Sequence, residues 1–407
     1  MKNYFVLAVV LSACAMEVHA KPLKVFILAG QSNMEGHAEV RTFDYIGKDP
    51  LTAPMLKEMR NPDGTPRVCD KVWMSYLTGP ADGSANGEGL GKLTAGFGAR
   101  GDQPTKDGGK IGPEFTFGIH MEKQLDQPIL IIKTAWGGRS LNTEFRPPSA
   151  GPYQFNETQL AEMKKRGDDI EKMKAEKTKA SGAFYRMMIE HVRKVLADPK
   201  RVCPEYDEKA GFEIAGFVWF QAWNDLVDGS TYPDHGQSDR FTLYSDLLTM
   251  FIRDVRKDLN APAMPFVIGV LGFEGLNTQR QSIISLRTAM SAPAAMPEFK
   301  GNVVAVQTAP FWDEKLEEIE SKFGKVGDMQ HSIVNKQSNG PNADGKMTEE
   351  QKKKYLEEYR AKIVTPADDA LWQSAASNLG YHYYGSAKTF AQIGKAFAEA
   401  VMTMQKK

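Results

Sequence analysis

Residues 24–36 read KVFILAGQSNMEG. Lys24 to Ala29 is a short apolar, β-capable run, and it reads as a buried strand. Gly30-Gln31-Ser32-Asn33-Met34 follows it without a spacer. A serine on a glycine turn between a strand and a helix exposes its hydroxyl. The same turn aims backbone N–H groups at any negative charge that develops there. Alone, a serine in such a turn is more often a helix cap, so its meaning depends on what else in the chain ends nearby.

Several later segments repeat the strand-then-motif arrangement. Pro128 to Lys133 is a second buried strand, ending in Thr134-Ala135-Trp136-Gly137-Gly138-Arg139. Ile214 to Phe220 is a third, followed by Gln221-Ala222-Trp223-Asn224-Asp225. Phe266 to Leu271 and Val303 to Gln307 read as the fourth and fifth strands. Between them lie helical patterns. One opens at Gly112-Pro113-Glu114, where proline fits the first turn. Others span Phe184 to Leu196, Phe241 to Leu259 and Ser386 to Met404. Thr348 to Gln351 has capping-box spacing, and Thr365-Pro366 starts a further helix. The charged stretch 157–180 reads as one exposed amphipathic helix. Residues 50–110 read as a surface excursion with a short hairpin around Val72 to Leu77.

Strands alternating with helices imply an α/β protein. The expected form is a three-layer α/β/α fold around a mainly parallel five-stranded sheet. In such sheets the ligand crevice lies outside the carboxyl ends of the strands. The motifs around Ser32, Gly138 and Asn224 all fall at such ends.

Composition narrows the classes of partner. The 407 residues carry 51 basic and 51 acidic side chains, so the net charge is zero and the basic footprint of a nucleic-acid binder is missing. A small or neutral substrate is expected, and no later segment is long and apolar enough for a membrane span. The N-terminus reads as an export signal: Lys2, an apolar run from Tyr4 to Leu11, and a small-residue cleavage site at Val18-His19-Ala20. Leu11-Ser12-Ala13-Cys14 is a rival lipoprotein box that would leave Cys14 lipidated. Either route takes the protein out of the cytoplasm, to the periplasm or beyond. Cys69 and Cys203 would then be able to pair in an oxidising compartment. Residues 21–407 are expected to form one domain with insertions near 50–110, 145–182 and 310–375.

An ester hydrolase needs a nucleophile, a base, and donors for the tetrahedral oxyanion. Ser32 suits the first role. Gly137-Gly138 allows close backbone approach, Asn224 carries an amide donor, and His382 lies in a Gly/aromatic loop before the closing helix. The order Ser, Gly, Asn, His resembles the SGNH-hydrolase superfamily. More narrowly it resembles the sialate O-acetylesterase-like and acetylxylan-esterase-like carbohydrate esterases. The matching segments are FILAGQSNMEG (26–36), GPEFTFG (112–118), IIKTAWGGRSL (131–141), GFVWFQAWND (216–225), LLTMFIRDVRKDL (247–259), PFVIGVL (265–271) and NLGYHYYGSAKTFAQIGKAFAEA (378–400).

The resemblance implies a flavodoxin-like sheet, Ser32 as nucleophile and His382 as general base. It further implies an oxyanion hole from the Ser32 N–H, the Gly138 or Gly137 N–H and the Asn224 side chain. Two positions depart from the family pattern: Ala222 stands where glycine is usual, and Leu379 where an aspartate usually orients the histidine. Leucine cannot stabilise an imidazolium. Asn378, a backbone carbonyl that would leave a Ser-His dyad, Asp225, Asp368 and Asp369 are the candidate substitutes, and Gln31 and Glu114 are further candidates for substrate or histidine support. Arg139 would bind a substrate carboxylate or else pair with Glu114 or Asp225. Trp136, Trp223, Tyr381 and Tyr383 flank the motifs. The loop from Asp228 to Asp239, with His235, matches no metal-ligand spacing, so no metal and no cofactor are expected. The resulting expectation is an exported O-acetylesterase acting on an acetylated carbohydrate. A weakly catalytic sugar-binding protein and an esterase for other small acyl esters are the alternatives.

Overall fold

The computed structural model describes residues 21–78, 87–99, 109–233 and 236–406. The stretch 1–20 read as an export signal, with Cys14 and the expected cleavage site, lies outside the described residues, as do Asp234 and His235. Nine strands are described: β1 Leu23–Gly30, β2 Ala38–Glu39, β3 Val72–Thr78, β4 Gly87–Lys92, β5 Lys110–Ile111, β6 Ile129–Ala135, β7 Phe212–Phe220, β8 Phe266–Val270 and β9 Val303–Gln307. Seven of them form one sheet in the order β4-β3-β6-β1-β7-β8-β9. Every pairing in it is parallel except β3 with β4, and β2 and β5 pair antiparallel in a separate ribbon.

The main sheet therefore has two strands more than the five expected. Residues 72–78 are not a surface hairpin. Val72, Trp73, Met74, Ser75 and Tyr76 are all buried, and β3 adds to the sheet beside β6. Its partner β4 carries five glycine and charged positions in six and so gives little strand signal by itself.

Parallel strands covered on both faces must be apolar on both. Val25, Ile27 and Ala29 of β1 face one core with the helices Ala183–Ala197, Thr242–Asp258 and Gln281–Ser291. Phe26 and Leu28 face the other, with the helices Pro113–Gln124 and Ala387–Gln405. The free thiols of Cys69 and Cys203 lie in opposite cores, so the sheet separates them and they do not pair. The stretch 157–180 forms two helices, Glu157–Arg166 and Ile170–Ala180, because Gly167 adopts a left-handed cap between them. Among the described residues no helix is long and apolar enough to cross a membrane.

One polar contact sits inside this apolar frame. The Lys133 ammonium on β6 and the Glu114 carboxylate in the first turn of Pro113–Gln124 meet at 2.8 Å, and both side chains are fully buried. Burial pushes the lysine pKa down and the carboxyl pKa up, and their mutual attraction opposes both shifts. The same ammonium donates to the backbone carbonyls of Glu35 at 2.7 Å and Phe97 at 2.6 Å, and it lies over the Tyr76 ring at 4.4 Å. The chain just beyond Ser32 is thus tied to the sheet. Lys133→Met would leave the Glu114 carboxylate buried and alone. It is expected to lower the unfolding free energy by about 3–5 kcal/mol in urea denaturation, and an unchanged midpoint would contradict this account.

Candidate active site

The register of the sheet brings three motifs to one level. Gly30 pairs with Ala135 on β6 and with Phe220 on β7. The turns that begin with Gln31, Trp136 and Gln221 therefore leave the carboxyl edge side by side. The sheet order changes direction at β1, which is where a crevice opens in such folds.

Ser32 begins a one-turn helix, Ser32–Glu35, and is 7% exposed. Its N–H enters no hydrogen bond among the described residues. A Cβ placed on Gly137 would come 3.6 Å from the Ser32 Cβ, so the two turns are in contact. Gly138 has φ +72 and open space around its α-carbon, and its N–H is also unengaged. The Gln31 Oε1 accepts from the Gln221 side chain at 3.1 Å and from the Asn224 N–H at 3.3 Å. Gln31 thereby fixes Asn224 beside the serine, and the Asn224 side-chain amide is left unengaged among the described residues. Ala222 has φ −170, extended backbone open to any residue, and its methyl packs into the core.

The histidine arrives on a 3-10 segment, Gly380–Gly385, docked on the residues that follow Ser32. The Asn33 side chain donates to the Tyr381 carbonyl at 3.1 Å. His382 Nδ1 lies 2.9 Å from the Asn378 Oδ1, which also accepts from the Leu379 N–H at 2.8 Å. An amide oxygen can only accept, so Nδ1 carries the proton and Nε2 keeps its lone pair. Burial, with a smaller push from Lys110, lowers the His382 pKa to about 4. Its ring stacks on that of His37, with centroids 3.9 Å apart and planes 4° from parallel. No hydrogen bond joins Ser32 and His382.

Tyr383 and Tyr384, next along, both hold left-handed backbone, with φ of 50 and 59. Each such residue costs on the order of 1–3 kcal/mol and persists only where its surroundings hold it. Here the Tyr383 hydroxyl accepts from the Gly272 N–H at 2.7 Å and meets the Thr308 hydroxyl at 2.7 Å. The Tyr384 hydroxyl donates to Glu320 at 3.1 Å.

The other anticipated side chains divide clearly. Leu379 is 52% exposed and does not touch the imidazole's role. Asp368 is engaged by Lys322 and Asp369 by Arg360, so neither reaches His382. Glu114 belongs to the Lys133 pair. Asp225 is fully buried and accepts from Gln221, Tyr232 and the N–H groups of Leu141 and Asn142. It secures the Gly137–Asn142 turn. Burial raises its pKa to about 6 against those hydrogen bonds. Arg139 pairs with neither acid: its guanidinium lies 4.4 Å over the Phe184 ring, and Nε and Nη2 are buried without an acceptor among the described residues. Trp136 and Tyr383 are core residues. Trp223 and Tyr381 are half-buried and lie 5.4 Å apart, lining the site beside the histidine. An open hollow of about 550 Å³ adjoins Asn378 and Leu379, with Trp372 in its wall.

Two features escape sequence reasoning. The first is Asn33, Glu35 and His37, which were in plain view inside or beside the serine motif. Their roles depend on a loop more than 340 positions away. The second is a Ser-His-Glu cluster elsewhere. Ser75 Oγ lies 2.9 Å from His191 Nε2 and 2.7 Å from Glu88 Oε1. Ser75 is fully buried, so this group binds the sheet edge to a helix and admits no substrate. Among the described residues no group of three His, Cys, Asp or Glu side chains is placed to hold a metal.

Comparison with known proteins adds an independent line. The family described as carbohydrate esterase, sialic acid-specific acetylesterase matches residues 98–310, slightly over half of the chain. That stretch contains Gly137, Gly138 and Asn224; Ser32 and His382 lie outside it. Among solved structures, a protein from Arabidopsis thaliana is similar at 19% identity, covering 70% of this chain and 86% of its own, with a TM-score of 0.36. A novel carbohydrate acetylesterase from Xanthomonas citri is similar at 15% identity over 70% of this chain and 49% of its own, with a TM-score of 0.37. NanS is similar at 12% identity over 71% and 78%, with a TM-score of 0.37. The curated proteins hold no significant match.

The neutral partner of His382 has a measurable consequence. An NMR titration is expected to place the His382 midpoint near 4. Asn378→Asp puts a negative charge at the same oxygen and should raise that midpoint by about 1–3 units. A midpoint that stays put would mean that Asn378 does not face Nδ1.

Proposed function

The chain belongs to the carbohydrate esterase family of sialic acid-specific acetylesterases, and we propose that it removes acetyl groups from sugar hydroxyls with Ser32 as nucleophile and His382 as base. The observation that carries this reading is that the Ser32 turn leaves the sheet level with the turns of two donors, the Gly138 N–H and the Asn224 amide, that are unengaged among the described residues. An oxyanion needs such donors in place before charge develops.

His382 Nε2 takes the Ser32 proton as Oγ attacks the acetyl carbonyl carbon. The oxyanion accepts from the Ser32 N–H, the Gly138 N–H and the Asn224 side chain. The bond from carbon to the sugar oxygen then breaks, and His382 returns its proton to that oxygen. Water attacks the acetyl-serine with His382 again as base, and acetate leaves. Asn378 supports the tautomer that this sequence requires, which favours catalysis over binding without turnover. Residues 21–407 act as one catalytic unit, exported by the leader at 1–20.

Two experiments address this. Ser32→Ala is expected to abolish acetate release and p-nitrophenyl acetate hydrolysis, by about 10⁴-fold or more in kcat. Wild-type protein quenched during turnover should carry one acetyl group on the peptide containing Ser32. Sugar binding by a wild type that shows no turnover would overturn the enzymatic reading. The Arg139 guanidinium, whose Nε and Nη2 have no acceptor among the described residues, suits a substrate carboxylate. Arg139→Gln should therefore raise KM about tenfold or more for acetyl esters of acidic sugars, through loss of about 1.5–3 kcal/mol, while p-nitrophenyl acetate hydrolysis is unchanged. Equal effects on both substrates would remove Arg139 from substrate recognition.

A further inference from the structure

We infer that Glu35 and His37 are a positioning pair for His382, standing in for the carboxylate that its loop lacks. This rests on reading Ser32 and His382 as nucleophile and base. The third member of a catalytic triad does two things: it fixes the orientation of the imidazole, and it offsets the positive charge that forms there. Asn378 does part of the first and none of the second. Its single contact at 2.9 Å sets the tautomer but leaves the ring free to turn about that hydrogen bond. The His37 ring, parallel within 4° and 3.9 Å away, removes that freedom.

The charge is supplied one ring further on. The Glu35 Oε2 lies 3.8 Å from His37 Nε2, and the Glu35 side chain is only 6% exposed. Solvent screens a carboxylate weakly in such a place. Its charge is opposite in sign to that of Lys110, which pushes the His382 pKa down.

The pair is held as firmly as a catalytic part needs to be. Gly36, between the two residues, has φ +87, and a Cβ there would run into the backbone of Gly112. The Lys133 ammonium holds the Glu35 carbonyl. The Ser377 hydroxyl lies 3.1 Å from the His37 carbonyl and accepts from the Glu39 N–H at 3.1 Å. Residues 35–39 are thereby braced against the loop that carries His382.

The test compares His37→Ala, His37→Leu, His37→Phe and Glu35→Gln with wild type in steady-state hydrolysis of p-nitrophenyl acetate. Loss of base positioning should lower kcat about 10-fold or more in His37→Ala and His37→Leu, with KM within about twofold, since this effect belongs to the transition state. His37→Phe keeps a flat ring and should recover most of the loss, while Glu35→Gln should lower kcat with the stack intact. His37→Leu fills the space without a ring, so it tests the stack even if His37→Ala does not fold. Equal kcat in His37→Leu and His37→Phe would overturn the inference, as would wild-type kcat in His37→Ala beside inactive Ser32→Ala and His382→Ala. Turnover surviving in Ser32→Ala would overturn the underlying serine reading instead.

Discussion

The buried contact between Lys133 and Glu114 is the constraint on which the rest of the site depends. Two opposite charges with no solvent access are tolerated only when they meet each other and their remaining hydrogen-bonding capacity is filled. Lys133 meets that condition with the carbonyls of Glu35 and Phe97, and Glu114 does so with the Gly112 N–H at 2.8 Å. Strand β6, the helix Pro113–Gln124, and the turn after Ser32 are thus joined at one point. A lysine that looks like the end of an apolar strand is the post to which the Ser32 turn is fastened.

From that point the site is built mostly of backbone. The Ser32, Gly137 and Asn224 turns stand together because Gly30 pairs with both Ala135 and Phe220. Gln31 and Asp225, both buried, bind the turns to one another. The imidazole is the exception. It is presented by a loop with two residues in left-handed backbone, and it is held by an amide and a second imidazole. With no carboxylate on Nδ1 and little water around it, His382 stays neutral down to acidic pH.

Much of this was legible in the chain. The strands at β1, β6, β7, β8 and β9 follow from short apolar runs, and the capping box at Thr348 is present as read. The sheet's extra edge was not legible. The strand β3 lies in a stretch rich in glycine, proline and charge, and its burial depends on β6 offering an open edge. Gly167 broke a helix that charge periodicity alone continued. Asn378 was one of several candidates for the histidine's partner. Only distance separates it from Asp368 and Asp369, which face lysine and arginine instead.

The sequence by itself determined the kinds of element, their order, and which residue types stand at strand ends, because periodicity and turn chemistry are local. It therefore placed Ser32, Gly138 and Asn224 on one edge and nominated His382. Tertiary structure alone decided what each polar side chain meets. Glu114 turned to Lys133 and not to Arg139, Cys69 and Cys203 fell on opposite faces of the sheet, and His37 met His382 across 345 positions. Such pairings are set by where the chain crosses itself, and burial makes each of them obligatory once the crossing is made.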